Sequence, residues 1–373
     1  MINNLLPPGF KDELFDQSFI EHKYKNIIIE IFQKNGYELV KTPLIEYTST
    51  SNKNNSFIIK VKNEKSDYVL RNDITMQIAR LSYARLKNKQ RPLKLCYYGE
   101  VVRKKGTLLR PERQFLQVGA ECIGENSYLA DVEMLNLAYQ SLTAVGIKNI
   151  TIELSSGSFL DHLLKKNNNI KTNNKIKSFL RKKDFKNSIK FLDSNLHEFA
   201  HDLISCSGEL SENKILLNKL KTNIETVNAV EELLNIYNNF SNNYPQAKVI
   251  LDLTEGDYLD YHIGTRFTIF AENVRGEIAR GGRYKSTNNL FVEHSTGFNC
   301  YMDTIIRASS TIEKLKKIMI PFDITVDKKN DLINKDYILE TFFGELKKIK
   351  EVAEIKKFDA CLIKNKIVKL DNK

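Results

Sequence analysis

The sequence predicts an α+β domain: an antiparallel sheet flanked by helices, with an inserted helical subdomain and a short C-terminal α/β tail. Three observations predict it. Strand-like runs come in hairpin pairs, residues 93–103 with 113–122 and 265–271 with 277–279, and helices gather between them instead of alternating strand by strand. Residues 158–243 lose strand character and turn helical and rich in Lys and Asn. No GxGxxG or GxxxxGKS/T segment supports a dinucleotide fold or a P-loop.

The elements follow in order. Ile20, Tyr24, Ile27, Ile28, Ile31 and Phe32 recur at three- and four-residue spacing, the signature of an amphipathic helix, and Gly36 supplies its stop. Residues 37–42 read as a strand closed by Pro43. Two short strands, 57–61 and 68–70, precede a helix over 74–86. Residues 93–103 and 113–122 form a hairpin around the basic loop 104–112. A helix over 130–145 ends at Gly146, and a strand follows over 150–154. After the helical insert, strands return at 248–253, 265–271 and 277–279. Gly281-Gly282-Arg283-Tyr284 reads as a tight turn, because glycine permits backbone angles closed to other residues. A last strand-to-helix element runs from Gly297 to about 316. The tail reads as one strand, a helix near 337–351 and a strand pair near 360–369. A tail this small has a marginal core and is expected to lean on the body. The expected division is 1–157 with 244–316 as the main domain, 158–243 as the insert and 317–373 as the tail.

Composition bounds the function classes. Of 373 residues, 42% are apolar, enough for a sizeable core and against a disordered chain. No segment reaches the ~18 apolar residues of a membrane helix, and the opening residues lack signal-peptide character, so a cytoplasmic location is expected. Five scattered cysteines offer no zinc spacing and predict reduced, buried thiols; no metal or cofactor is expected. The net charge of +11 is largely lysine accompanied by Asn and Ile, a compositional bias and weak support for a nucleic-acid partner.

Three constellations carry candidate chemistry. In Leu70-Arg71-Asn72-Asp73-Ile74-Thr75-Met76-Gln77, Asp73 is either an acceptor for an ammonium group or a helix cap. In the hairpin, Arg103, Arg110 and Arg113 either clamp an anion or belong to a solvated basic loop. On its return strand, period two puts Gln117, Gly119 and Glu121 on one face, either a cleft floor or a solvated surface. In Leu259-Asp260-Tyr261-His262, the histidine is either structural or part of a site.

Taken together, these segments resemble the catalytic domain of class II aminoacyl-tRNA synthetases of the histidyl type, over residues 7–312. Residues 36–43 resemble the first motif, which builds the dimer interface, and 97–103 with 113–121 the second. Leu70-Arg71-x-Asp73-x-Thr75 resembles the amino-acid-binding turn, and Asp260-Tyr261 with residues 281–284 the two histidine-specific strands. The departures matter. Asp257 stands where the synthetases carry an arginine acting on the histidine carboxylate, and Thr304 where the third motif carries its ATP-holding arginine. Losing such groups, each worth ~10²–10³ in rate, predicts no adenylation. Residues 317–373 are too few for a full anticodon-binding domain.

A chain of this kind resembles the regulatory subunits of short-form ATP phosphoribosyltransferase, as do Leu6-Pro7-Pro8-Gly9-Phe10-Lys11-Asp12 and the form Arg71-x-Asp73-x-Thr75-x-Gln77-x-Ala79-Arg80. That resemblance implies a non-catalytic chain in a hetero-oligomer, commonly an octamer, with the short-form catalytic subunit. It also implies self-association through the first motif and feedback by L-histidine. A retained histidine site would use Asp73 for the ammonium, Thr75 and Gln117 as hydrogen-bonding partners, Arg103 for the carboxylate and Glu121 for the imidazole, beside Tyr261 and His262. His262 departs from the family's tyrosine. The alternatives are an active histidyl-tRNA synthetase and a tRNA- or RNA-binding paralog.

Overall fold

Alternation of apolar residues over long stretches builds one broad sheet, seen in a computed structural model that describes residues 5–48, 55–62, 66–254, 262–287, 292–309 and 316–370. The first half of the chain runs α1 Phe15–Lys34, β1 Glu38–Leu39, β2 Ile45–Tyr47, β3 Ile58–Ile59, β4 Tyr68–Leu70, α2 Thr75–Arg85, β5 Leu93–Val102, β6 Gln114–Ile123, α3 Tyr128–Ala144 and β7 Ile150–Ser156. The insert holds α4 Gly157–Lys166, α5 Asn173–Arg181, α6 Phe185–Ile189, α7 His197–Ser205, β8 Ser207–Glu209, α8 Leu210–Lys219 and α9 Ile224–Asn243. Then come β9 Lys248–Asp252, β10 His262–Ala271, β11 Ala279–Thr287, β12 Val292–Tyr301 and α10 Met302–Ala308. The remainder is β13 Lys316–Pro321, α11 Val326–Ile333, β14 Tyr337–Phe342, α12 Ile349–Ile355, β15 Ala360–Ile363 and β16 Lys366–Lys369.

Nine strands form the main sheet in the order β1-β5-β6-β12-β11-β10-β7-β9-β8. Its centre, from β5 to β7, is antiparallel throughout. Period two divides the side chains between two cores. Val118, Ala120, Cys122, Phe298 and Cys300 join α1, α3, α4 and α9 in the larger one. Leu95, Tyr97, Phe115 and Tyr301 face Ile74 and Ile78 beside α2 on the other. The insert packs into the larger core through Leu163, Leu203, Leu217 and Leu233, because its helices carry one apolar face each. A three-stranded sheet, β2-β4-β3, stands ahead of α2.

The chain divides into two compact units, 1–310 and 311–373. The second has its own sheet, β14-β13-β15-β16, with a small core on each face, one containing Leu332 and the other Ile349.

Several sequence expectations are corrected. Gly281-Gly282-Arg283-Tyr284 is not a turn; it lies inside β11. A Cβ on Gly281 would meet the Gly297 carbonyl oxygen at 2.5 Å, and one on Gly282 the Thr265 oxygen at 2.7 Å. The glycines serve close strand packing beside the irregularity in β10, not chain reversal. The last strand begins at Val292, well before Gly297, and its helix ends at Ala308. Residues 337–342 form a strand, not the start of a helix; the helices are 326–333 and 349–355, on either side of it. All five cysteines are buried and free. Among the described residues no helix is long and apolar enough to cross a membrane, and no His/Cys/Asp/Glu group could hold a metal.

Candidate ligand-binding site

The site is built on the α2 face of the main sheet, and strand register assembles it. Glu121 on β6 faces Leu95 across one strand and Gly297 across the other, and Gly297 faces Gly282. One residue pair along, Gly119 lies between Tyr97 and Asn299. The three glycines make room for neighbouring side chains: the Glu121 carboxyl lies over Gly297, the Tyr97 hydroxyl over Gly119 and Arg266 beside Gly282. A Cβ on Gly297 would fall 1.7 Å from the Glu121 Oε2, so no other residue fits there. Gln117 and Glu121 are fully buried, so this strand face is not solvated.

Asp73 enters from the turn between β4 and α2. Its Oδ1 accepts the Thr75 backbone N–H at 2.8 Å and its Oδ2 accepts the Gln117 amide at 3.0 Å. The carboxylate thus steadies the first turn of α2 and still has lone pairs for a ligand. Gln117 Oε1 in turn accepts the Ile74 N–H at 3.2 Å. The Thr75 hydroxyl accepts from the Asn299 amide at 3.0 Å and lies 3.3 Å from the Tyr97 hydroxyl. The Tyr97 hydroxyl is 2.7 Å from Glu121 Oε1 and 2.8 Å from Asn299 Oδ1, and Tyr284 donates to Glu121 Oε2 at 3.0 Å. Burial pushes the Glu121 carboxyl up to about 8, and burial next to that carboxyl pushes the Tyr97 hydroxyl well above its ordinary value.

Four sequence-predicted residues, Asp73, Thr75, Gln117 and Glu121, therefore share one hydrogen-bonded network. Arg103 does not join it directly. It sits just past β5 with its guanidinium over the Phe115 ring, 4.8 Å from the centroid. His262 opens β10 opposite Tyr284. Tyr261, Asp260 and Asp257 lie outside the described residues. Sequence reasoning did not single out Tyr97, Tyr284 and Asn299. The usable signal was the same period-two alternation, which puts Tyr97 and Asn299 in register with Gly119.

The hairpin loop is solvated over residues 104–109, one of the two readings of the sequence, while Arg110 and Arg113 are engaged within the fold. Arg110 is buried, 2.9 Å from Asp303 and 3.4 Å from Glu277, and stacks over Tyr301 and Phe115 at 4.0 and 4.4 Å. Arg113 lies over Phe10 and Phe57 and donates to the Pro8 carbonyl oxygen. Arginines do reach position 304: Arg307 Nη2 is 3.4 Å from the Thr304 hydroxyl. Arg307 is paired with Glu112 and lies 3.8 Å from Asp303, so its charge and that of Arg110 are spent on carboxylates. Glu21 on α1 is pushed up to about 7, by burial first and then by Glu13 and Glu100.

The model of the histidyl-tRNA synthetase family matches residues 9–305. The ATP phosphoribosyltransferase regulatory subunit of Rhodospirillum rubrum is 32% identical over 310 residues, covering 81% of this chain and 80% of the relative. The chain belongs to the histidyl-tRNA synthetase-like family of ATP phosphoribosyltransferase regulatory subunits. The fold agrees. A regulatory subunit/histidyl-tRNA synthetase of Bacillus halodurans superposes with a TM-score of 0.79 at 21% identity, covering 92% of this chain and 94% of that one. A chain of the ATP phosphoribosyltransferase HisG:HisZ complex of Thermotoga maritima superposes at 0.61 and 18%, covering 76% and 98%. As a member of this family the chain is a non-catalytic subunit of an enzyme complex, not a synthetase.

Proposed function

We propose that this chain binds L-histidine on the floor between β5, β6 and β12 and uses that binding to regulate ATP phosphoribosyltransferase, the first enzyme of histidine biosynthesis. The reading rests on one observation: the carboxylate of Asp73, the amide of Gln117, the hydroxyl of Thr75 and the carboxyl of Glu121 form one connected network beside Gly119 and Gly297. In this reading Asp73 takes the ligand's ammonium, Thr75 and Gln117 orient it, and Glu121 takes the imidazole. Arg103, whose side chain has no carboxylate partner among the described residues, swings to the ligand carboxylate. The resemblance adds Tyr261, which lies outside the described residues, and His262 to this reading.

The partner in this reading is the short-form catalytic subunit, in a hetero-octamer of four and four, with regulatory chains paired through the region of α1 and β1 in the cytoplasm. The chain works by changing the partner's conformational balance, a coupling between separate sites. The test is co-expression with a short-form catalytic subunit, assayed with and without histidine. The complex should turn over and be inhibited; a partner that turns over equally well alone, with histidine making no difference, refutes the reading. Histidine-dependent ATP–pyrophosphate exchange by the pure chain would restore the synthetase alternative.

A further inference from the structure

We infer that Glu121 is the neutral acid in the empty site and that it hands its proton to the ring of the arriving ligand, so that the bound pair is a carboxylate and an imidazolium. This inference rests on the histidine reading above. In the step, the O–H bond of Glu121 breaks, and the lone pair of a ring nitrogen takes the proton to form an N–H bond. No other reactant is needed.

Hydrogen-bond counting carries the argument. The Tyr97 hydroxyl has one proton and two close acceptors, Glu121 Oε1 at 2.7 Å and Asn299 Oδ1 at 2.8 Å. The Asn299 nitrogen is turned to Thr75, so its oxygen faces Tyr97. If Tyr97 donates to Asn299, the 2.7 Å contact needs a proton from the carboxyl itself. Tyr284 satisfies Oε2.

The surroundings pull both ways and burial prevails: the hydroxyls of Tyr97, Thr75 and Tyr284 favour the charged carboxylate, and burial opposes it more strongly. Tyr97 faces the carboxyl from β5, Tyr284 from β11, Asn299 reaches it through Tyr97 from β12, and Asp73 and Thr75 stand at the head of α2. Tyr37, ahead of β1, also feels it. None of these groups is a cation, and the one carboxylate among them, Asp73, opposes ionisation. Glu121 is fully buried, and burial of a charge without a partner favours the neutral form. Burial places its titration at about 8. An imidazole, with an ordinary pKa of about 6.5, brings in the missing partner, and the hydrogen-bonded pair then favours both charged forms.

Proton exchange on binding should therefore change sign with pH. Near pH 6 the free ligand is already an imidazolium, and binding expels the Glu121 proton. Near pH 8.5 Glu121 is largely ionised and the free ring neutral, so binding takes up most of one proton. Between them the proton moves within the complex and the net exchange is about zero. The experiment is calorimetric titration of the full chain with L-histidine in phosphate and in Tris, at about pH 6, 7.2 and 8.5; the difference in heat between buffers counts the protons. Release at the lowest pH together with uptake at the highest shows that the bound pair holds one proton, and the ring-nitrogen NMR shifts of bound nitrogen-15-labelled L-histidine say where it lies: an imidazolium supports the inference and a neutral ring overturns it. Uptake at all three means that Glu121 was already ionised, and no uptake at the highest means that the bound pair holds no proton; either result also overturns it. Glu121→Gln should abolish most of the uptake near pH 8.5, and the sign change in the unmodified chain decides should that variant fail to fold. No heat and no saturable binding at any pH would remove the histidine reading, and this inference with it. Binding without the sign change removes the inference alone.

Discussion

Glu121 and Asp73 show how differently two carboxyls of one network behave. Glu121 titrates far above an ordinary glutamate because burial disfavours its charge. The sign for stability follows. The folded state holds the proton more tightly than the unfolded chain, where the group titrates near 4.3, so the folded state loses stability as pH rises from about 4.3 to about 8. Glu121→Gln cannot ionise and should escape that loss. Urea melts at pH 5 and pH 8 should show the unmodified chain losing roughly 3 kcal/mol more than the variant over this range; equal losses would show that the carboxyl stays charged throughout. Asp73 is half-buried and holds its place by accepting two N–H groups. Asp73→Ala should weaken histidine binding about 10- to 100-fold, the worth of a hydrogen bond to a charged group, measured by calorimetry. Unchanged affinity would take Asp73 out of the site. Much of this was legible in the sequence: alternation over Gln117, Gly119 and Glu121 placed them on one face. Their ionisation was not legible, because it depends on Tyr97, Tyr284 and Asn299, which come from three other strands.

At the scale of elements, strand and helix types followed from periodicity where a stretch was long, as in β5, β6, α1 and α3. They failed where glycine was read as a turn. In β11 glycine was needed because two backbones and the Phe267 ring crowd that spot, a constraint set by neighbours distant in sequence. The hairpin loop was legible only in part, for a similar reason. Lys104 and Lys105 are solvated as read, but the fold brings Asp303 on α10 and Glu277 ahead of β11 against Arg110 and buries it. That makes Arg110 a structural clasp tying the β5–β6 loop to α10, with the Phe115 and Tyr301 rings completing its seat. Arg110→Leu leaves Asp303 buried with the Thr304 hydroxyl at 3.3 Å and, as its nearest cation among the described residues, Arg307 at 3.8 Å, and should cost up to about 3–5 kcal/mol. Removing Lys104 and Lys105 together, both exposed, should stay within about 0.5 kcal/mol. Chemical denaturation of both variants checks the contrast; equal losses would mean that the loop is held by its basic character as a whole and not by Arg110.

At the scale of the whole molecule, each sheet closes within its own unit. The strands β13 to β16 pair only with one another, and the network around Glu121 draws all its members from β4 through β12. The tail carries apolar cores on both faces of its sheet, built from Ile318, Ile320 and Leu332 on one side and Met319, Ile349 and Phe358 on the other. A unit this small has limited surface to bury, so its stability is expected to fall short of the larger unit's. A chain ending at Ser310 should therefore keep the main fold and bind histidine within about twofold of the full chain, since the network around Glu121 takes all its named members from the larger unit. Thermal melting of the full chain should show a weaker transition that the shortened chain lacks, and calorimetry with histidine should find the two alike. Loss of histidine binding on shortening would mean that the second unit helps to shape the floor around Glu121, and the two-unit reading of the molecule would have to be given up in favour of one cooperative body.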